Sequence, residues 1–157
     1  MKVLGIDPGI ERVGWGLIEI EGASAQFHKC GCIKTSKDLP QASRIALVVQ
    51  ELRSILKEEL PDHVAVEKLF FAKNRKTAMA VAESRGAILA ALTEANIQIS
   101  EFTPLQVKAA LTGNGRAEKR QVAWMVKNIL NIKENITSDD ALDALALCLM
   151  IGPRQMA

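Results

Sequence analysis

Four acids stand in apolar company, where acids are uncommon. Asp7 closes the apolar run Lys2 to Asp7 at a Pro8-Gly9 turn, and Glu67 closes the run His63-Val64-Ala65-Val66-Glu67. Asp140 and Asp143 belong to the stretch Thr137 to Asp143, after which Ala144 to Ile151 is apolar all round. A helix of that composition is buried, and residues three apart on it are neighbours, about 5–6 Å apart at Cβ. Two ionised carboxylates so close repel, and one must hold its proton more tightly unless a cation lies between them. Asp139 and Asp140 also suit a first helical turn, where the dipole favours acids and one of them is expected to cap. Asp143 lies beyond that turn. Plainer readings exist for the other two, since Asp before Pro-Gly is a common turn residue and Glu67 could be a solvated strand exit.

Together Asp7, Glu67, Asp140 and Asp143 form an all-oxygen donor set. The three cysteines offer no rival: Cys30 and Cys32 are predicted on one strand face with His28, Cys148 in an apolar helix, and the spacing matches no common zinc pattern. They are expected to be ordinary core or surface thiols. Oxygen ligation with few protein donors suits Mg²⁺ or Mn²⁺. Two such ions about 3.5–4 Å apart activate a water and stabilise the leaving oxygen of an in-line phosphodiester displacement. The chemistry these acids ask for is phosphoryl transfer on a nucleic acid.

The charge distribution agrees. The chain has 157 residues, 20 Lys+Arg and 18 Asp+Glu, for a net charge of +2. Between Lys68 and Lys76 the charges are Lys68, Lys73, Arg75 and Lys76, a local +4; between Phe102 and Lys133 they are Lys108, Arg116, Lys119, Arg120, Lys127 and Lys133 against Glu118, a local +5. The rest of the chain therefore carries −7. Phe70 and Phe71 lie inside the first basic segment, and adjacent aromatics among cations serve base stacking; anchoring the loop is the plainer role for at least one.

The elements that must position these groups are legible from periodicity. Lys2 to Asp7, Val13 to Ile20 and Ala25 to Thr35 read as strands joined by short turns, an antiparallel meander. Gly14 and Gly16 leave room on one strand face for a close approach. The spacing then turns helical over Pro40 to Leu60, His63 to Glu67 is a buried strand, and Lys76 to Ala95 is a helix rich in small residues. Ile97 to Phe102 is a fifth strand, followed by helices over about Pro104–Leu111, Ala117–Leu130 and Ser138–Ile151. This is an α/β chain with a mixed five-stranded sheet flanked by helices. If the strands ending in Asp7 and Glu67 are parallel neighbours, both carboxylates emerge at the carboxyl edge, where open α/β sheets bind ligands. With no linker or repeat, 1–157 reads as one domain. The absence of a signal-type or spanning segment predicts a cytoplasmic protein with no membrane contact.

These residues resemble the RuvC family of Holliday junction resolvases, over about Val3 to Gly152. The matching motifs are Gly5-Ile6-Asp7-Pro8-Gly9 with Gly14 and Gly16, then Val66-Glu67 leading into Phe70-Phe71-Ala72-Lys73-Asn74. Further along come Gln106-Val107-Lys108, Gly115 with Ala117-Glu118-Lys119 and Gln121-Val122, and Asp140-Ala141-Leu142-Asp143-Ala144-Leu145-Ala146. The resemblance implies a ribonuclease H-like fold, a homodimer, and paired nicking of two strands of like polarity in a four-way DNA junction. It implies that the four acids hold Mg²⁺, two ions per subunit with Mn²⁺ able to substitute, and that Lys108 and Lys119 serve catalysis and phosphate binding. Phe70 matches an aromatic that stacks at the crossover, with Phe71, Lys73, Asn74, Arg75, Lys76, Arg116 and Arg120 expected along the DNA. The small-residue helix would join the dimer contact, and RuvA and RuvB would be partners in recombination and repair.

Two points stay open in the residues themselves. Asp139 and Asp143 form an alternative i, i+4 pair, and Phe71 beside Phe70 leaves two candidates for the stacking ring. The hairpin motif also resembles the phosphate-binding hairpin of actin-like ATPases and sugar kinases, but no second Asp-Gly hairpin supplies the other lobe. Another ribonuclease H-like nuclease on a different structured nucleic acid, and a non-catalytic junction-binding dimer, are the remaining alternatives.

Overall fold

Three apolar runs separated by tight turns pair as a meander, β1 (Lys2–Asp7), β2 (Arg12–Glu21) and β3 (Ser24–Lys34). The chain then alternates helix and strand through α1 (Gln41–Glu59), β4 (His63–Glu67), α2 (Arg75–Glu94) and β5 (Gln98–Phe102). It ends in α3 (Pro104–Thr112), α4 (Lys119–Ile129) and α5 (Asp139–Cys148). This computed structural model describes residues 1–69 and 75–152, with residues 75 and 76 described by their backbone alone. The boundaries fall within two residues of those predicted, except that α5 ends at Cys148 and tightens into a 3-10 turn, Leu149–Ile151. None of the described helices is long and apolar enough to cross a membrane.

The strands order as β3-β2-β1-β4-β5, with β1 central. β1 is antiparallel to β2 and parallel to β4, and β5 continues parallel to β4. Strict alternation sorts the side chains. Leu4, Ile6, Val64 and Val66 face one way and pack with Val48, Leu52 and Leu56 of α1 and Ile88 and Leu92 of α2. Val3 and Ala65 face the other way, into a second core with Val107 of α3, Val122 and Val126 of α4 and Leu142, Leu145, Ala146, Leu147 and Cys148 of α5. Asp7 and Glu67, one step past Ile6 and Val66, therefore fall on the α5 face. The register pairs Ile6 with Val66, so the two acids end adjacent parallel strands side by side.

The close approach left open by the glycines is made by α5. A Cβ on Gly5 would lie 1.9 Å from the carbonyl oxygen of Ala144, and one on Gly14 would lie 2.0 Å from that of Asp140. At Gly16 it would meet the Leu145 side chain at 2.7 Å. The helix backbone itself rests on the sheet. Ser138 caps α5, its hydroxyl accepting from the Ala141 N–H at 3.2 Å. The cap is thus neither Asp139 nor Asp140, contrary to the sequence expectation, because a serine one residue earlier reaches the N3 amide.

The predicted face shared by His28, Cys30 and Cys32 is also corrected. The β2–β3 register shifts between Leu17 and Ile18, where Lys29 and Phe27 are the successive partners and His28 is left over. That bulge turns His28 away from Cys30. His28 Nε2 lies 3.7 Å from Glu59 of α1, and Lys29 Nζ lies 2.8 Å from the same carboxylate, whereas Cys30 packs into the α5-side core. Glu59 is held below its usual carboxylate range, chiefly by the Lys29 hydrogen bond.

Gly5→Ala forces backbone against backbone and is expected to cost about 1–3 kcal/mol or more, the range for overpacking. Gly14→Ala is expected to destabilise similarly and to displace Asp140. Urea denaturation of both variants checks this; unchanged midpoints would mean that α5 is not seated on these glycines.

Candidate active site

The acids converge at the carboxyl edge of the sheet. Asp7 and Glu67 arrive from β1 and β4, and Asp143 from the second turn of α5; all three line one cleft of about 290 Å³. Its other walls are Pro104, Val107 and Lys108 of α3, Lys119 and Val122 of α4, and Ala146 and Leu147 of α5. A larger hollow, about 610 Å³, opens beside Arg53, Pro61 and Asn96 at the opposite edge and contains none of these groups. Asp140 flanks the cleft from the first turn of α5, held by the contact of its backbone with Gly14.

Carboxylates gathered in a poorly solvated place resist ionisation. Asp7 is pushed up to about 8, first by burial, then by the charges of Glu67, Asp143 and Asp140. It keeps a proton and donates it to Glu67. Glu67 is also raised, chiefly by burial, with Lys119 and Lys108 pulling in the opposite direction. The carboxylates that bear on Asp7 are thus Glu67, Asp143 and Asp140, whereas Asp139 is exposed and lines a neighbouring hollow with Arg120, Trp124 and Lys127.

Cations of the chain engage the outer two acids. Lys119 Nζ donates to Asp143 Oδ2 at 2.8 Å, and this contact raises the lysine further above its ordinary value. Arg12 Nη1 lies 3.9 Å from Asp140 Oδ2. Among the described residues no three His, Cys, Asp or Glu side chains are closed up as a ready metal cluster. Asp143 and Asp140 face protein cations, and the Asp7 carboxyl is hydrogen-bonded to Glu67. The donor set fits a hard divalent cation, because four carboxylates contribute only oxygen, and a cation among them would relieve the burial and mutual repulsion that hold the Asp7 proton in place.

Of the residues singled out in the sequence, the fold brings Asp7, Glu67, Asp143, Lys108 and Lys119 into one cleft with Asp140 at its border. Arg120 lies beside it, on the wall shared with Asp139, and Arg116 is exposed in the connection between α3 and α4. Phe70, Phe71, Lys73 and Asn74 lie outside the described residues, as do the side chains of Arg75 and Lys76. Sequence reasoning passed over Arg12. The signal for it was that the β1–β2 turn must emerge at the same edge as Asp7.

Comparison with known proteins gives a consistent set of relatives. The family profile described as "Crossover junction endodeoxyribonuclease RuvC" matches residues 3–150. A protein of that name from Fusobacterium nucleatum is 44% identical over 149 residues, covering 95% of this chain and 78% of that protein. Another from Thermotoga petrophila is 46% identical over 149 residues, covering 94% and 89%. The solved structure described as "T. thermophilus RuvC in complex with Holliday junction substrate" superposes with a TM-score of 0.88 at 38% identity, covering 95% of this chain and 91% of that one. The sheet and its helices agree with the ribonuclease H-like fold expected from the sequence.

The raised Asp7 fixes the sign of a pH effect. Its proton contributes stability that is present below the ordinary carboxylate range and lost as pH rises through about 8. Metal-free protein is expected to melt at lower temperature as pH rises from about 5 to about 9, each kcal/mol lost lowering Tm by roughly 2–4 °C. Asp7→Asn should flatten that slope. Differential scanning calorimetry in chelator checks it, and equal slopes in the two proteins would reject the assignment.

Proposed function

The chain belongs to the RuvC family of crossover junction endodeoxyribonucleases, and from that premise we propose that it resolves four-way DNA junctions by Mg²⁺-dependent nicking of two strands of like polarity, in recombination and repair. The observation that carries this reading is the convergence of Asp7, Glu67 and Asp143 with Lys108 and Lys119 in one cleft. Asp140, at its border, completes the donor set. These four acids would hold two Mg²⁺ per subunit, with Mn²⁺ able to replace them. When bound, the ions supply a nucleophilic water at neutral pH and neutralise the leaving oxygen of an in-line displacement.

The protein's own part follows from its charges. Asp7 must release the proton it shares with Glu67, so metal binding expels about one proton near neutral pH. Lys119 and Arg12 are the present counter-charges of Asp143 and Asp140. Freed from those carboxylates, Lys119 is placed to take a phosphate oxygen, and Lys108 approaches from the other wall. Asp140 serves rather than Asp139, because Asp140 is the one whose charge bears on Asp7.

The same reading makes 1–157 one nuclease domain, acting in the cytoplasm as a homodimer with RuvA and RuvB as partners. The basic segment with Phe70, Phe71, Lys73, Asn74, Arg75 and Lys76 would engage the junction, and Arg116 and Arg120 its arms. Support for a DNA path beside the cleft comes from α4, where Arg120, Trp124 and Lys127 share one helix face and the Trp124 indole is exposed.

Purified protein incubated with a synthetic four-way junction and Mg²⁺ is expected to leave paired, ligatable nicks, absent with EDTA, on linear duplex and in Asp7→Asn. Binding without cleavage would overturn the enzyme reading. Junction affinity should fall by orders of magnitude between about 50 and about 200 mM salt, as several neutralised phosphates require. A flat response would remove the basic segments as the contact surface.

A further inference from the structure

Arg85 reaches the end of β4 from the opposite face of the sheet. It lies halfway along α2, and its side chain is only 16% exposed. Nε–H donates to the main-chain carbonyl of Glu67 at 2.9 Å, and Nη2 is hydrogen-bonded and ion-paired to Oε2 of Glu101 on β5. One guanidinium thus joins three elements at the residue where β4 ends. The next backbone contact there is the Lys68 N–H on the Phe102 carbonyl at 2.8 Å.

The placement is informative because α2 has ample apolar residues to hold it on the sheet. Ile88, Ala91 and Leu92 are buried against β1 and β4. A covered guanidinium adds little net stability over an apolar residue of similar volume, since its desolvation offsets the ion pair. What its planar fork adds is direction, through two acceptors fixed at once. The acceptor it selects on β4 is the carbonyl of Glu67, whose side chain faces the cleft.

We propose that Arg85 is a positioning residue for Glu67: through Glu101 and the Glu67 carbonyl it sets the end of β4 from α2, so that displacement of α2 is felt at the carboxylates. The inference rests on the metal-dependent nuclease reading above.

The test uses the full chain and the variants Arg85→Gln, Arg85→Lys and Glu101→Gln. Single-turnover cleavage of a synthetic junction is followed against Mg²⁺ concentration, and junction affinity is measured with Ca²⁺ in place of Mg²⁺. Arg85→Gln is expected to raise the Mg²⁺ midpoint about tenfold, within the range that outer contacts of metal sites carry, and to leave junction affinity within a factor of about two. Arg85→Lys should recover part of the midpoint, and Glu101→Gln should shift it in the same direction. The double variant Arg85→Gln/Glu101→Gln should be no worse than Arg85→Gln alone, because both act through one contact. Unmoved midpoints in folded variants, or losses that multiply in the double variant, would overturn the proposal. If Arg85→Gln fails to fold, Arg85→Lys and Glu101→Gln decide it alone. A parent chain that cuts no junction would overturn the nuclease reading instead; calorimetric Mn²⁺ titration then decides Arg85, and equal affinity in parent and variants rejects it.

Discussion

The contact between the backbone of α5 and the glycines of β1 and β2 is the constraint on which the rest depends. Helices ordinarily rest on sheets through interleaved side chains. Here Gly5 and Gly14 remove that spacer, and the carbonyls of Ala144 and Asp140 occupy the room. The consequence is reach. Aspartate has a short side chain, so acids on α5 can share a cleft with acids ending β1 and β4 only if the helix lies close. Gly5 and Gly14 serve two ends at once, one seating the helix and the other fixing the backbone of Asp140.

That closeness runs against the stability of the protein without a cation. Burial, reinforced by repulsion among the carboxylates, holds Asp7 protonated near neutral pH, and Lys119 and Arg12 offset the charges of the outer pair. Lys119 is itself badly placed by helix electrostatics. It is the first residue of α4, where the dipole disfavours a cation. Neither α3 nor α4 carries an acid in its first turn. Their starts are fixed instead by polar side chains: Thr103 and Gln106 cap each other, and Gln121 Oε1 accepts from the Glu118 N–H. Capping by polar side chains fixes where each helix begins and leaves the first turn of α4 free to present a lysine to the cleft.

Much of this was legible in the chain, for reasons that can be named. The meander, the parallel β4 and the buried α5 follow from period and turn chemistry, and alternation from Ile6 and Val66 puts Asp7 and Glu67 on one face. The glycines announced a close approach without saying what approaches; only the register of α5 over β1 and β2 supplies that. His28 was misplaced because a β-bulge inverts alternation and leaves no local signature at Leu17–Ile18. The cap of α5 was misread because acids and serine compete at a helix start, and one residue of register decides. Arg12 and Arg85 escaped notice for a common reason. Each acts across a long sequence separation, on Asp140 and on Glu67, and periodicity carries no information about that.

A net charge of +2 now has a spatial meaning. The acids that matter sit at the bottom of a cleft whose walls, α3 and α4, supply Lys108 and Lys119, and Arg120 and Lys127 continue outward along α4. A polyanion approaching such an edge meets cations first, which offsets the repulsion of four carboxylates that would otherwise exclude it. Divalent cations held by those acids, as proposed above, would remove that repulsion. The two kinds of charge are therefore not in opposition: in the proposed reaction the wall lysines Lys108 and Lys119 would meet the phosphate, and the acids beneath would serve it once cations replaced the proton on Asp7.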